Sequence, residues 1–155
     1  MFETIAWATD GSELADNALE HVRKLAEIHG SRIVAVHADE RLTGRFGGGP
    51  LYADEPGVRV KIAGQVDELR AAGFDAELEI RSGTRDVATL VEWVARDVEA
   101  ELIVVGTHGR GVVASAVLGS VARRLCHTAQ RPVLVVPPAL PAGRSGEETA
   151  QLTAV

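Results

Sequence analysis

The sequence has one cysteine, few aromatic residues and no long apolar run. Cys126 stands alone among 155 residues, so the chain can form no internal disulfide, a pattern typical of a reducing compartment. The N-terminus has no basic stretch followed by an apolar core, and no run approaches the roughly 18 apolar residues of a membrane span. We therefore expect a cytoplasmic protein with no membrane partner.

An excess of basic residues is also missing. Lys and Arg number 16 against 22 Asp and Glu, which gives a formal net charge of −6. Proteins that wrap nucleic acid need a basic surface to neutralise its phosphates, so we expect no nucleic-acid partner. The sequence contains no His-Glu-x-x-His zinc motif. The adjacent Cys126 and His127 would point about 100° apart on a helix, which is unsuitable for a nucleophile and its base. We assign no catalytic residue.

What the sequence does contain is a regular alternation of apolar strands and amphipathic helices. With 46% apolar residues, the chain can bury one sizeable core. Strands are predicted at residues 4–9, 32–38, 76–80, 102–105 and 133–136, with a helical apolar stripe between each pair. This alternation predicts right-handed crossovers and an α/β fold: one domain with a five-stranded parallel sheet and helices on both faces.

Two strands differ from the others in their patterning. Residues 76–81 alternate between apolar and charged side chains, as expected at the edge of a sheet. Residues 133–136 are apolar on both faces although they form the last strand. If this strand lies at an edge, then a helix, the C-terminal tail or a second copy of the chain must cover it.

Two segments are predicted to lie outside the core. Residues 41–57 are rich in Gly and Pro and show no clean period, which predicts a mobile connection after the second strand. Residues 138–155 are polar and rich in Pro and Gly, and we interpret them as a flexible tail. The folded domain is therefore predicted to span residues 1–137.

The most informative stretch is residues 102–120, where an apolar strand breaks into glycines before a helix that is predicted to start at Gly119-Ser120. Glycines let backbone amides approach a ligand, and the start of a helix adds unpaired amides, a combination suited to phosphate. A Walker A loop is excluded because Val112 and Val113 stand where Lys and Ser or Thr are required. The dinucleotide fingerprint fails because no acidic residue closes a strand about 20 residues later.

A third spacing fits without adjustment: Gly106, two residues, Gly109, nine residues, Gly119 and Ser120. This Gly-x2-Gly-x9-Gly-Ser signature resembles the ATP-binding branch of the universal stress protein family. The turn at residues 9–13, Thr-Asp-Gly-Ser-Glu, and the end of the second strand, Val-His-Ala at 36–38, are similar to the same family. The resemblance covers roughly residues 3–137.

The resemblance implies a Rossmann-like fold of the adenine nucleotide α-hydrolase-like type, with strand order 3-2-1-4-5. It also implies a homodimer through the last strand, bound ATP and, in the cell, possible use of AMP or ADP. Asp10 would face the ribose or a phosphate-bound Mg²⁺, and the backbone at Ala38 would read the adenine edge. The predicted nucleotide-binding residues are Ala8, Thr9, Asp10, Ala38, Val105, Gly106, His108, Gly109, Arg110, Gly119, Ser120 and Val121.

Several of these residues have a purely structural interpretation as well. Asp10 with Glu13 could form a capping box, and Ser120 could be an ordinary N-cap. His108 and Arg110 could be solvated loop residues, and Arg123 with Arg124 a solvated helix face. At the level of function, a nucleotide-dependent stress-response module with slow or no hydrolysis and an unknown protein partner competes with two alternatives. One is an ATP-hydrolysing or adenylyl-transferring enzyme; the other is a dimeric adaptor that needs no nucleotide.

Overall fold

A parallel sheet forms the centre of the computed structural model, which describes residues 1–42, 49–50, 55–109 and 118–138. The elements in chain order are β1 (Thr4–Ala8), α1 (Glu13–His29), β2 (Arg32–Leu42), β3 (Gly49–Pro50), α2 (Glu55–Ala71), β4 (Ala76–Gly83), α3 (Val87–Asp97), β5 (Leu102–Gly106), α4 (Ser120–Thr128) and β6 (Val133–Val136). The predicted five strands and four helices are all present.

The five parallel strands lie in the order β4-β2-β1-β5-β6. Numbered among the parallel strands alone, this is the expected order 3-2-1-4-5, so the fold prediction is confirmed. Ala8 at the end of β1 is in register with Val36 of β2 on one side and Val105 of β5 on the other. The carboxyl ends of β1 and β5 therefore lie side by side, and β2 runs beyond them as far as Leu42.

Alternate residues of each strand enter two separate apolar cores. On one face, Ile5 and Trp7 of β1 pack with the apolar stripes of α1 and α2. On the other face, Ala6 and Ala8 pack with α3 and α4. This alternation follows from the two-residue period of a strand. The small alanines of the second face leave room between the strand ends and α3 and α4.

The predicted connection at residues 41–57 is only partly correct. β2 continues to Leu42 because it pairs with β4 as far as Glu40 and Gly83, and the short β3 then pairs with it antiparallel. α2 already begins at Glu55, so its first turn was wrongly included in the connection. Residues 43–48 and 51–54 lie outside the described residues, as do residues 139–155 of the predicted tail.

The predicted edge strand is confirmed within the described residues, where β4 pairs only with β2. At the opposite side of the sheet β6 pairs with β5. Leu134 of β6 is 37% exposed, while Val136 is buried in the core. The last strand thus presents an apolar residue at its surface.

Candidate functional site

A cavity of about 610 Å³ lies at the carboxyl ends of β1, β2 and β5, bounded by α3 and α4. The order of the parallel strands reverses between β1 and β5, since β2 lies to one side of β1 and β5 to the other. Ligands of open α/β sheets bind at such a switch point, and the volume falls in the range of small-molecule sites. The location of the cavity follows directly from the topology.

The cavity brings together the residues that were predicted from widely separated motifs. Those in its lining are Ala8, Thr9, Asp10, Ala38, Val105, Gly106, His108, Gly109, Gly119, Ser120 and Val121. Arg110, the remaining predicted residue, lies outside the described residues. Three segments far apart in the sequence thus converge on one space.

One wall of the cavity is apolar. Ala8, Val36 and Val105 contribute from the strand ends, and Val87 and Val91 from α3. These residues belong to the core on the α3 and α4 face or pack against it. A flat apolar group, such as a nucleobase, could be buried against this wall.

The turn between β1 and α1 holds Asp10 in a fixed position at the cavity. Its Oδ1 accepts hydrogen bonds from the amide of Ser12 at 3.0 Å and from the Ser12 hydroxyl at 2.6 Å. Ser12 is the N-cap of α1, and its hydroxyl oxygen accepts from the amide of Ala15. The predicted capping box of Asp10 and Glu13 is therefore wrong, because Asp10 orients the capping Ser12 from outside the helix.

The glycines of the signature make room for the protein's own atoms. A Cβ at Gly109 would overlap the Oδ2 of Asp10, and a Cβ at Gly119 would lie 2.8 Å from the Thr107 carbonyl oxygen. A Cβ at Gly106 would lie 3.0 Å from the Leu14 carbonyl oxygen. The loop after β5 can therefore lie directly on the turn after β1. Close packing of two loops, in addition to any approach to a ligand, requires these glycines.

The start of α4 offers backbone donors to the cavity, one residue later than expected. Gly119 is the N-cap, and its amide donates to the Thr107 carbonyl at 2.6 Å, so it is not available to a phosphate. The first helical bond runs from Arg123 to Gly119. The amides of Ser120, Val121 and Ala122 thus have no acceptor within the helix. No side chain among the described residues caps this end.

Ser120 itself is the first residue of α4 and is exposed. The interpretation of Ser120 as an N-cap is therefore wrong, because Gly119 occupies that position. Ser120 lines the cavity together with the open end of the helix. The partial positive charge of a helix N-terminus favours an anion at this place.

The sequence did not identify several polar residues of the lining. These are Asp39 and Glu40 of β2, Asp86 before α3, and Arg123, Arg124 and His127 of α4. Their positions next to predicted strand and helix ends were the signal by which the sequence could have indicated that they line the site. Arg124 is not merely solvated, because its Nε lies 3.2 Å from Asp86 Oδ1.

Asp86 connects the two helices that bound the cavity. It is the N-cap of α3 and accepts from the Thr89 amide at 3.1 Å and from the Thr89 hydroxyl at 2.7 Å. Burial alone would raise the pKa of Asp86, but these hydrogen bonds and the nearby Arg124 outweigh it and hold the pKa below its usual value. Asp86 therefore remains a carboxylate well into the acidic range.

The described residues contain no group of three or more His, Cys, Asp or Glu side chains arranged to hold a metal ion. No helix among them has the length and apolar character needed to cross a membrane.

Comparison with known proteins gives a consistent result. The model of the "Universal stress protein family" matches residues 1–137. A universal stress protein of Thermus aquaticus is 33% identical over 138 residues, covering 88% of this chain and 99% of the relative.

Two solved structures with similar folds are nucleotide complexes. A universal stress protein in complex with cAMP has a TM-score of 0.64 and 24% identity, over 87% of this chain and 96% of its own. The universal stress protein from Archaeoglobus fulgidus in complex with dAMP has a TM-score of 0.64 and 21% identity, over 88% and 98%. At this identity the likeness concerns the fold.

Proposed function

Because the chain belongs to the universal stress protein family, we propose that it is a nucleotide-dependent stress-response or signalling module that binds ATP. AMP and ADP are alternative ligands of the same site. Occupancy of the site would be the signal, read by a protein partner that remains to be identified. Solved relatives that bind cAMP and dAMP support an adenine nucleotide as the ligand class.

The observation that carries this proposal is the open N-terminus of α4 at one end of a cavity with an apolar wall. Three backbone amides and the Ser120 hydroxyl can donate to phosphate oxygens there. The wall that includes Ala8 and Val105 can bury a purine ring. A nucleotide combines these two chemical characters in one molecule.

We propose one orientation for the ligand. The adenine packs on the apolar wall with its edge toward the backbone at Ala38, and the ribose passes Asp10. The phosphates reach the amides of residues 120–122. Mg²⁺ would contact the phosphates and approach Asp10 directly or through water, since carboxylate oxygens suit this cation.

We further propose that the protein holds ATP with slow or no hydrolysis. A general base must accept a proton from an attacking water. The Oδ1 of Asp10 already accepts two hydrogen bonds from Ser12, and its Oδ2 lies against Gly109. Because both carboxylate oxygens of Asp10 already make these contacts, the site is better suited to binding phosphate than to cleaving it.

Assembly and location complete the proposal. A homodimer through Val133–Val136 would cover the exposed Leu134 at the end of the sheet. The free and exposed thiol of Cys126 supports a cytoplasmic, reducing location.

Calorimetry with ATP and Mg²⁺ tests the nucleotide site. In Ser120→Ala we expect the loss of one charge-assisted hydrogen bond, about 1.5–3 kcal/mol, to weaken binding roughly ten- to hundredfold. Thr84→Ala is the matched control, because it removes a hydroxyl from an exposed residue that does not line the cavity. If the unchanged protein binds none of ATP, ADP, AMP and cAMP, the proposed function is wrong.

A further inference from the structure

The turn between β1 and α1 also contacts α2. A Cβ at Gly11, whose φ is +73°, would lie 2.9 Å from Cγ1 of Val58 on α2. About one helical turn further along α2, Lys61 donates from its Nζ to the carbonyl oxygen of Gly11 at 2.6 Å. None of the described residues that line the cavity belongs to α2. The helix therefore touches the turn that carries Asp10 without touching the cavity itself.

Lys61 is also held from its other side. Its Nζ lies 2.6 Å from Oδ2 of Asp16 on α1, and Oδ1 of the same carboxylate accepts from the side-chain amide of Gln65 at 2.8 Å. An ammonium group has three donors and no acceptor, so it can donate to the carboxylate and to the carbonyl at the same time. The Lys61 ammonium is therefore fixed between α1 and the turn after β1.

The Gly11 carbonyl and the Ser12 amide belong to a single peptide unit. A trans peptide unit is planar, so its C=O and N–H groups point in opposite directions. The carbonyl accepts from Lys61, and the amide donates to Asp10 Oδ1 at 3.0 Å. The ammonium polarises the peptide unit, which makes its N–H a stronger donor. Lys61 thus fixes the group that orients the Asp10 carboxylate.

The Lys61 ammonium is the one hydrogen-bond donor to the Gly11 carbonyl within the described part of the chain. Glycine is stable at both positive and negative φ, so a peptide unit that follows a glycine turns easily when it loses a hydrogen bond. Such a turn would take the Ser12 amide away from Asp10. Without Lys61, a smaller fraction of the protein would hold Asp10 in the orientation that binds the ligand, and the measured affinity would fall by that fraction.

We infer that Lys61 is a positioning residue of the nucleotide site, which orients Asp10 through the Gly11–Ser12 peptide unit and couples occupancy of the site to α2. The inference rests on the proposed function for the ligand. Coupling between two contacts is reciprocal. If the contact of Lys61 with Gly11 favours ATP binding, then bound ATP favours that contact equally. α2 is therefore the element that responds to occupancy.

A double-mutant cycle separates positioning from general loosening of the fold. ATP with Mg²⁺ is titrated calorimetrically into Lys61→Met, Asp10→Ala and the protein with both changes. We expect Lys61→Met to weaken ATP binding about five- to tenfold, at the lower end of typical coupling between sites. In the Asp10→Ala background the same change should alter affinity by less than about twofold, because the carboxylate that Lys61 positions is gone. Lys61→Arg should restore most of the affinity, since a guanidinium can also donate to a carbonyl and a carboxylate.

Arg70→Met is the matched control for the loss of a cation from α2. Arg70 Nε also donates to a backbone carbonyl, that of Ala76, at 2.7 Å. Ala76 is the first residue of β4, and parallel strands begin at the end of the sheet opposite the cavity. ATP affinity should therefore be unchanged in Arg70→Met. An equal loss of affinity in Arg70→Met and Lys61→Met would overturn the inference, because loosening of α2 would explain both.

The chain has two lysines, Lys24 and Lys61, which permits a test on the unchanged protein. Lys24 pairs with Glu20 on α1 at 2.9 Å, and neither lysine lines the cavity, so bound ATP would not shield either amine directly. We expect saturating ATP and Mg²⁺ to slow acylation of the Lys61 amine by acetic anhydride about fivefold, as reciprocity requires, and to leave Lys24 unchanged. Mass spectrometry of the digested protein measures both rates.

The amide proton shift of Ser12 reports the peptide unit in the nucleotide-free protein. We expect it to move upfield in Lys61→Met, because its hydrogen bond to Asp10 weakens, and to stay in place in Arg70→Met. An unmoved Ser12 amide, an equal loss of ATP affinity with and without the Asp10 carboxylate, or an acylation rate of Lys61 that ATP does not change would overturn the inference and leave the proposed function standing. Absence of nucleotide binding by the unchanged protein would overturn both, and the Ser12 amide would still show whether Lys61 orients Asp10.

Discussion

At the scale of single residues, Gly109 and Asp10 depend on each other. The carboxylate of Asp10 occupies the space in which a side chain at position 109 would begin. Each residue belongs to a different loop, and both line the cavity. A signature glycine and a signature aspartate, 99 positions apart, thus form one structural unit.

This contact predicts non-additive effects on stability. Gly109→Ala should lower the free energy of unfolding by about 1–3 kcal/mol, because the new methyl group overlaps Asp10 Oδ2. In an Asp10→Ala background, the same change should cost less than about 0.5 kcal/mol, since the obstructing atoms are gone. Urea denaturation of the four proteins measures the difference. Equal costs in the two backgrounds would contradict the contact.

The sequence predicted which residues meet at the site, but not the bonds between them. The spacing of Gly106, Gly109 and Gly119 located the loop and the start of α4. It could not reveal that the Gly119 amide donates to Thr107, because a residue's neighbours in space are set by tertiary packing. The contact between His37 and Glu55 was missed for the same reason, because Glu55 lies in a segment whose sequence resembled a loop.

At the scale of elements, periodicity identified the strands and helices, and pairing set their ends. β2 was predicted to end at residue 38 because polar residues follow. It continues to Leu42 because β4 pairs with it and because Arg59 and Ser82 satisfy the buried Asp39. Local sequence patterns contain no information on such distant partners.

The N-terminus of α3 gives a test at this scale. Asp86→Ala should lower the free energy of unfolding by about 1 kcal/mol near neutral pH, because the amide of Thr89 loses its acceptor. Asp86→Ser should retain most of this stability, since a serine can also cap a helix.

The dependence of this effect on pH follows from the sign of the pKa shift. The pKa of Asp86 is lower in the folded protein than in the unfolded chain, so its ionised form contributes stability above the unfolded pKa. That contribution disappears as the pH falls through the folded pKa. In urea denaturation, the unchanged protein should have a higher free energy of unfolding than Asp86→Ser at pH 7. This difference should be smaller at about pH 3. A difference in the free energy of unfolding that is the same at both pH values would contradict the lowered pKa of Asp86.

At the scale of the whole molecule, the two sides of the sheet differ. β4 at one edge alternates apolar and charged residues and pairs, among the described residues, only with β2. β6 at the other side consists of four apolar residues, and its Leu134 is 37% exposed. A charged edge resists pairing with another chain, whereas an apolar one invites it. The asymmetry predicts that copies of the chain meet at β6.

Light scattering tests this prediction. Leu134→Asp places a charge at the centre of the proposed interface, where it would be buried without a partner, so the measured mass should fall from twice the 16.4 kDa of one chain to that of a single chain. Val60→Asp on α2 is the matched control, because this exposed apolar residue lies on a helix that packs against β2 and β4, at the opposite side of the sheet, and should leave the dimer intact. If Leu134→Asp is still a dimer of unchanged mass, pairing through β6 is excluded. If the unchanged protein is a monomer, copies of the chain do not meet at β6, and this apolar strand is available to another partner.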